Sequence, residues 1–549
     1  MSLEIEEWEI WHTYTSFLEN TQIDLPDTAR RLVTSGIAEC AMLRDGRTYW
    51  RSNGTVGSGS TIVEVDPLSG RSEFRLDLDE ECKVKPQGFA LEAWGTASYF
   101  LISERRVLGD DTALPAPYLR AYLGKCLLTS TPPDGESSEI NLYPVLIVYE
   151  SGVLSVEFRM IGPKGITGLA DFISSGVNLF RYNFDRVEVS PGLAKFATRA
   201  YYQSAYKWNF IQRLRLIWLQ AGHDVAVRQR TKKQADKDFA FDLAPLSGSE
   251  AEPLKSIALT IFYTAAFIVG RPRAGLAFLL RGQLPSPAVG EFWSGRPHIH
   301  LVRFRNQCKT ASENEALHGS DFGRILCRVS NLDEAEARRV LPRDARLFQD
   351  YNAYVMSASS LWVWSTDGLA AQAAWMDPNR GNLIYERQVL AELLEYGYML
   401  HRSLYHRVEK FSTTAEVIAV RREIVLLRLK MREASHSGEI RDLLESGWND
   451  LGLPYLVSEI DALLRLRASE TRSIEALRST RVGWALTVVF GFVAVPALAD
   501  QVVQPIWKLT PFHHFTNPSL TAVVSDGIAI FIVLLFLCMT LSVISSREG

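Results

Sequence analysis

Cysteine is scarce in this chain: there are six among 549 residues, and no two stand in a CxxC spacing. Cys40, Cys82, Cys126, Cys308, Cys327 and Cys538 are scattered, which excludes a zinc site or disulfide framework by spacing and reads as reduced thiols. Charge of one sign is also lacking. The net charge of -4 offers no basic field of the kind that nucleic-acid binders carry, so no nucleic-acid partner is expected. The start, MSLEIEEWEIWHTY, has neither a basic n-region nor an apolar h-region, and no signal peptide is expected. Catalytic signatures are missing: there is no nucleophile elbow, HExxH, Walker motif or kinase set, so neither an enzyme nor a cofactor is expected. The glycine-rich stretch Arg51 to Thr61, RSNGTVGSGST, lacks the GK[ST] ending that would place a lysine at a phosphate and reads as a flexible loop.

Membrane-grade apolar runs are confined to the last seventy or so residues. Val482 to Leu498 reads VGWALTVVFGFVAVPAL and Gly527 to Ile544 reads GIAIFIVLLFLCMTLSVI, both uncharged. With their uncharged flanks, each reaches the roughly 20 residues needed to cross a bilayer, which predicts a two-helix transmembrane hairpin. Arg465, Arg467, Arg472, Arg478 and Arg481 precede the first run and Arg547 follows the second, whereas the connecting loop offers only Lys508. Basic residues stay on the cytoplasmic side, so both termini are expected inside, the loop 501–520 outside, and the protein in the cell (inner) membrane.

The remainder divides by composition. Leu142 to Met160, LYPVLIVYESGVLSVEFRM, alternates about Glu150-Ser151-Gly152 and predicts a β-hairpin. Ser190-Pro191 opens an aromatic-rich helix carrying Phe196, Tyr201, Tyr202, Tyr206, Trp208, Phe210 and Trp218 beside Arg199, Lys207, Arg213 and Arg215. A core helix with a solvated basic face is the favoured reading there, a ligand pocket the alternative. Gln229 to Asp238 reads as a charged linker, which places a possible subdomain boundary near 229–250. Ile257 to Gly270 is too short to span and predicts a buried helix. His298 and His300 share one face of a strand, without the three or four ligands a metal site needs, and read as structural. Ala353 to Trp364 is a further strand candidate.

From about Gly381 the pattern turns helical. Residues 383–411 and 413–434 show apolar positions at i, i+3, i+4 and i+7, with a capping-box pattern at Ser412 to Glu416. After a break at Ser437-Gly438, a shorter helix runs to about Trp448. From Gly452-Leu453-Pro454 no breaker intervenes before the first apolar run. Stalk and span are therefore expected to form one rod of about 45 residues, on the order of 65 Å long. The expected class is α+β: a large cytoplasmic α/β domain over 1–380, a helical bundle and stalk over 381–481, and the transmembrane hairpin over 482–549.

This order of elements resembles the CorA-type metal-ion transporters. The resemblance implies a homo-oligomer, pentameric in that family, with a membrane channel for divalent cations such as Mg²⁺ as substrate, gated by the cytoplasmic domain. The chain departs from the family at its mouth, where Pro496-Ala497-Leu498-Ala499-Asp500-Gln501 replaces the Gly-Met-Asn signature. The helix face through Gly483, Thr487, Phe490, Ala494, Leu498 and Gln501 is the candidate pore lining, unless its small residues serve helix packing. Asp500 is the candidate selectivity residue, as a carboxylate ring or alternatively as an interfacial group capping the span or pairing with Lys508. Leu486, Phe490 and Val493 are candidates for an apolar gate, Asp526 reads as interfacial, and His513-His514 as loop residues open to external pH or metal. The missing signature and the long N-terminal half leave a second reading, a ligand-gated effector pore of low selectivity whose body binds a cytoplasmic small molecule. A tethered enzyme is the weakest third.

Overall fold

The computed structural model describes residues 3–548 apart from 20–22, 66–71, 109–115, 131–137, 180–185, 191, 194–252, 270–288, 347–349, 376–380, 411–413, 434–437 and 510–517. The aromatic-rich helix after Ser190, the linker at 229–250, the capping pattern at Ser412 and His513-His514 lie in or largely within the segments outside the described residues. Two units emerge: Met1–Arg407 with Arg422–Asp461, and Val408–Arg421 with Ala462–Gly549.

The first unit is built on one mixed sheet of 14 strands. In chain order these are β1 (Glu4–Phe17), β2 (Cys40–Leu43), β3 (Arg47–Ser52), β4 (Thr55–Val65), β5 (Ser72–Leu78), β6 (Tyr118–Tyr122), β7 (Cys126–Ser130), β8 (Ser138–Tyr149), β9 (Val153–Ile161), β10 (Thr167–Gly168), β11 (Arg186–Glu188), β12 (Trp293–Phe304), β13 (Tyr351–Val355) and β14 (Ser360–Trp364). Their spatial order is β13-β14-β12-β1-β9-β8-β6-β2-β3-β4-β5, with β10 beside β1 and β7 between β8 and β11. Only the β12–β14 pairing is parallel among the described strands. The helices are α1 (Leu25–Thr34), α2 (Phe89–Leu108), α3 (Pro253–Val269), α4 (Ala311–Cys327), α5 (Glu334–Val340), α6 (Thr366–Trp375), α7 (Gly381–Glu409), α8 (Thr414–Arg432), α9 (Gly438–Asp450), α10 (Leu453–Leu498), α11 (Gln504–Lys508) and α12 (Pro518–Glu548).

The β8–β9 hairpin forms at the expected turn, with Gly152 at φ +91° where a side chain would be strained. α3 is the expected buried helix, with Leu254, Ile257, Ile261, Phe262 and Ala265 inside. Arg51 to Thr61 is not a loop. β3 and β4 pair through it, and Asn53 (φ 49°) and Gly54 (φ 78°) make the two-residue turn whose positive φ values match the twist of a hairpin. Ala353 to Trp364 is likewise two strands, β13 and β14, folded back on each other.

The larger correction concerns the C-terminus. Among the described residues no helix is long and apolar enough to cross a membrane, so the expected fold class with its two-helix transmembrane hairpin does not stand. What stands is a large mixed-sheet domain with helices. The uncharged run of α10 contains Pro496 and is closed by Asp500, and the side chains of α12 are described only as far as Leu535, so neither run offers an unbroken apolar span among the described residues. The segment expected as the outer loop is also partly helical. A π-helical stretch, Ala499–Val503, and α11 continue the chain to Lys508. α10 itself is a single helix of 46 residues, as its unbroken pattern predicts.

Alternation gives the sheet two different faces. On one, Trp8, Ile10 and Tyr14 of β1, Leu154, Val156 and Phe158 of β9, and Ile299 and Leu301 of β12 form an apolar core with α1, α3, α4 and the helical stretch 169–177. The other face is covered by α2 and α7 and carries much of the buried charge. On the apolar side, α4 and α5 approach so closely at Gly323 that a Cβ there would run into the Ala337 carbonyl. Gly323→Ala is expected to destabilise the first unit by about 1–3 kcal/mol. A denaturant titration followed by tryptophan fluorescence checks this, and an unchanged midpoint would mean that α5 is free to move away.

Candidate functional site

The face beneath α7 is made by the parity of four strands. Arg120 of β6, Glu157 of β9, Glu9 of β1, and Arg296, His298 and His300 of β12 are buried, and Arg159 of β9 is half-buried. Opposite them α7 presents Gln388, Glu392 and Glu395, spaced four and three apart on one stripe, with Glu386 and Arg387 beside it. A helix whose inward stripe is polar can be buried only if the surface under it returns every charge.

It largely does. Arg159 binds Glu9 through two hydrogen bonds, 2.7 and 2.9 Å long. Arg296 donates to Glu395, and Glu386 lies 3.8 Å from both Arg106 and Arg387. Aromatic rings insulate these pairs: Arg120 lies 3.9 Å from the centre of Phe100, and Arg387 lies 4.1 Å from that of Tyr351. Arg120 is the exception in stoichiometry, for it serves two carboxylates. It donates to Glu392, and its other terminal nitrogen is 3.8 Å from Glu157. Gln388 extends the chain, donating to Glu157 over 3.4 Å and meeting His300 Nε2 at 3.2 Å. Burial, reinforced by the neighbouring Glu392, holds the Glu157 carboxyl well above its ordinary range, and burial likewise raises Glu392 despite Arg120.

His298 and His300 do occupy one face of β12, as their spacing predicts, and they act as structural groups. His298 Nδ1 meets Ser360 Oγ at 2.6 Å, and its Nε2 stands 3.5 Å from Glu395, a carboxylate that sequence proximity could not reveal. Burial lowers His300 to about 4 and lowers His298 as well, so both rings are neutral at pH 7. No group of three or more potential ligands for a metal ion occurs among the described residues.

A cleft of about 960 Å³ opens at the edge of this layer. Leu25, Leu43, Leu101, Pro26 and Pro117 supply its apolar wall, and Arg44, Arg47, Arg105, Asp24, Asp45, Glu104 and Glu150 its charges. Its size suits a small organic ligand. Arg44 is held by Glu104 over 2.5 Å and Arg47 by Asp45 over 2.7 Å, so a ligand would have to exchange these pairs. Glu104 also accepts from the Tyr118 hydroxyl, and Tyr118 flanks Arg120. The cleft wall and the shared carboxyl pair are thus two contacts apart.

The residues singled out in the second unit are placed differently. Phe490, Ala494 and Gln501 are exposed, Leu498 is half-buried, and the side chains of Gly483 and Thr487 lie outside the described residues. Asp500 is exposed on the π-helical stretch and accepts from Gln504 over 3.0 Å; among the described residues it has no ion pair, with Lys508 or any other cation. Asp526 is exposed too. The close packing falls instead on Ala499, Val503 and Ala529, where α12 meets the end of α10. Compared with family models, curated proteins and solved structures, the chain gives no match.

Arg296→Met is expected to destabilise the first unit by about 3–5 kcal/mol, since Glu395 loses its buried cation. Adding Glu395→Leu is expected to recover most of that loss. Urea titrations of the single and double variants check this, and equal losses in both would show that Arg296 acts by packing alone.

Proposed function

We propose that the protein works at a membrane as a homo-oligomeric channel or transporter for metal cations, with divalent ions such as Mg²⁺ as substrate and the sheet domain as regulator. The observation that carries this reading is the surface of the second unit. Phe490, Val493, Leu509, Val523 and Phe531 are between 64% and 85% exposed, and Leu486, Val489, Ile506 and Leu520 are at least half exposed. Large apolar side chains grouped in this way mark a surface that is covered in use. Lipid and further copies of the same helices are the two covers a ring at a membrane provides. The reading asks only that this surface meet them, and it does not restore the transmembrane hairpin.

The CorA-like order of helices supports the same reading. α10 takes Leu453–Asp461 from the first unit and continues unbroken through the second, so the regulating domain and the apolar surface share one helix. Asp500, exposed and without an ion pair among the described residues, suits a carboxylate ring at a pore mouth when repeated about an axis. The cleft in the first unit favours a second reading, in which a cytoplasmic small molecule opens an unselective effector pore.

Reconstitution into dye-loaded vesicles tests both. Selective uptake of Mg²⁺, Co²⁺ or Zn²⁺ is the expected outcome, and Asp500→Asn is expected to lower the preference for divalent over monovalent cations several-fold. Leakage of many ions would favour the effector, and no flux in vesicles that demonstrably hold the protein would overturn the proposal.

A further inference from the structure

Most carboxyls in the layer under α7 have at least one arginine of their own. Glu9 has Arg159, Glu395 has Arg296, and Glu386 has Arg106 and Arg387. Glu157 and Glu392 share Arg120 alone. With both carboxyls ionised, the three buried groups would together hold one negative charge in excess, which is far more costly than retaining a proton. With one proton between them the pair and Arg120 are neutral together. Arg120 donates directly to Glu392 and stands farther from Glu157, so the geometry puts the proton on Glu157. Glu157 in turn has two atoms to bond: Oε1 accepts from Gln388 of α7, and Oε2 is the oxygen with no other donor in reach.

We propose that the Glu157–Glu392 pair is a proton switch that seats α7 on the sheet: the shared proton ties β9 to α7, and its removal loosens the middle turns of α7. Charged and titratable groups face the pair from each element packed against it. β6 contributes Tyr118, Arg120 and Tyr122, β8 contributes Tyr149, β9 Arg159, and β12 His300. α2 contributes Glu104, and α7 contributes Tyr385, Glu386, Arg387 and Glu395 besides Glu392 itself. His300 is neutral and Arg120 permanently charged, so neither takes up the charge created when the proton leaves. Tyr118, Tyr122 and Tyr149 are held by burial well above the ordinary phenol range and stay protonated.

The sign is specific. A carboxyl whose folded-state affinity for a proton exceeds its unfolded-state affinity contributes full stability below the unfolded value. That contribution is lost as pH rises through the folded value. An ordinary buried ion pair behaves in the opposite sense and weakens in acid. The switch is independent of the membrane reading, since it concerns only how α7 sits on its own sheet.

Hydrogen exchange of the full chain, measured by mass spectrometry from pH 6 to pH 9 and corrected for intrinsic rates, tests it. Peptides covering 385–400 of α7 are expected to lose protection as pH rises, by about tenfold per pH unit beyond the midpoint, while peptides of β1 and β12 stay protected. Glu157→Gln keeps the shape and is permanently neutral, so its α7 peptides are expected to stay protected throughout. Glu392→Gln, which removes the carboxylate Arg120 holds, is expected to lose protection at all pH values. Flat protection in the wild type, an unchanged pH dependence in Glu157→Gln, or failure of Glu157→Gln to fold would each overturn the switch.

Discussion

The buried contact between Arg120 and the two carboxyls of Glu157 and Glu392 is the constraint on which the first unit depends. Helix α7 buries apolar residues such as Val389, Leu393 and Leu400, but it also turns a polar stripe inward. Gln388, Glu392 and Glu395 point into the protein, and each is matched by a group of the sheet. Such an arrangement costs desolvation of every ion in it, and it returns direction and register in exchange. An apolar helix can slide along a sheet by a residue with little loss. α7 cannot, because a shift would strand several charges at once.

The same logic separates the two faces of the sheet. The apolar face, with its 169–177 turn and α1, α3 and α4, can be held by burial alone. The charged face is held by pairing, so its stability depends on protonation in a way that the apolar core does not. The second unit lies at the other extreme, with large side chains left in the open and a small packed centre at Ala499, Val503 and Ala529. Grouped exposed apolar side chains of this kind mark interaction surfaces in general, and the proposed membrane role gives this one a cover.

Much of this architecture was legible in the residues, and what was missed follows a pattern. Period-two alternation revealed β8 and β9, and the absence of breakers after Pro454 revealed the full length of α10. Arg51 to Thr61 was misread because its glycines resemble a loop. The signal was the Asn53-Gly54 pair, whose positive φ values define a hairpin, while Gly57 makes room for the Trp50 ring. The charged layer was invisible to a rule that assigns charges to solvent, under which the 388/392/395 stripe of α7 belongs outside. A hint lay in the strands, where Arg296-x-His298-x-His300 and Glu157-x-Arg159 put ionisable groups on one parity of segments otherwise rich in β-branched and aromatic residues. The pairing of those residues with a helix some 90 to 270 positions away has no local signal. The transmembrane expectation rested on two uncharged apolar runs, and among the described residues neither yields a helix long and apolar enough to cross a membrane.

The claim that one proton completes the layer is open to direct observation. Infrared spectra of the wild type and of Glu157→Gln, recorded at neutral pH in heavy water, should differ by the carbonyl band of a single protonated carboxyl, present in the wild type and gone in the variant. A difference spectrum without that band would mean that both glutamates are ionised beside Arg120, and the account of how α7 is held would fail.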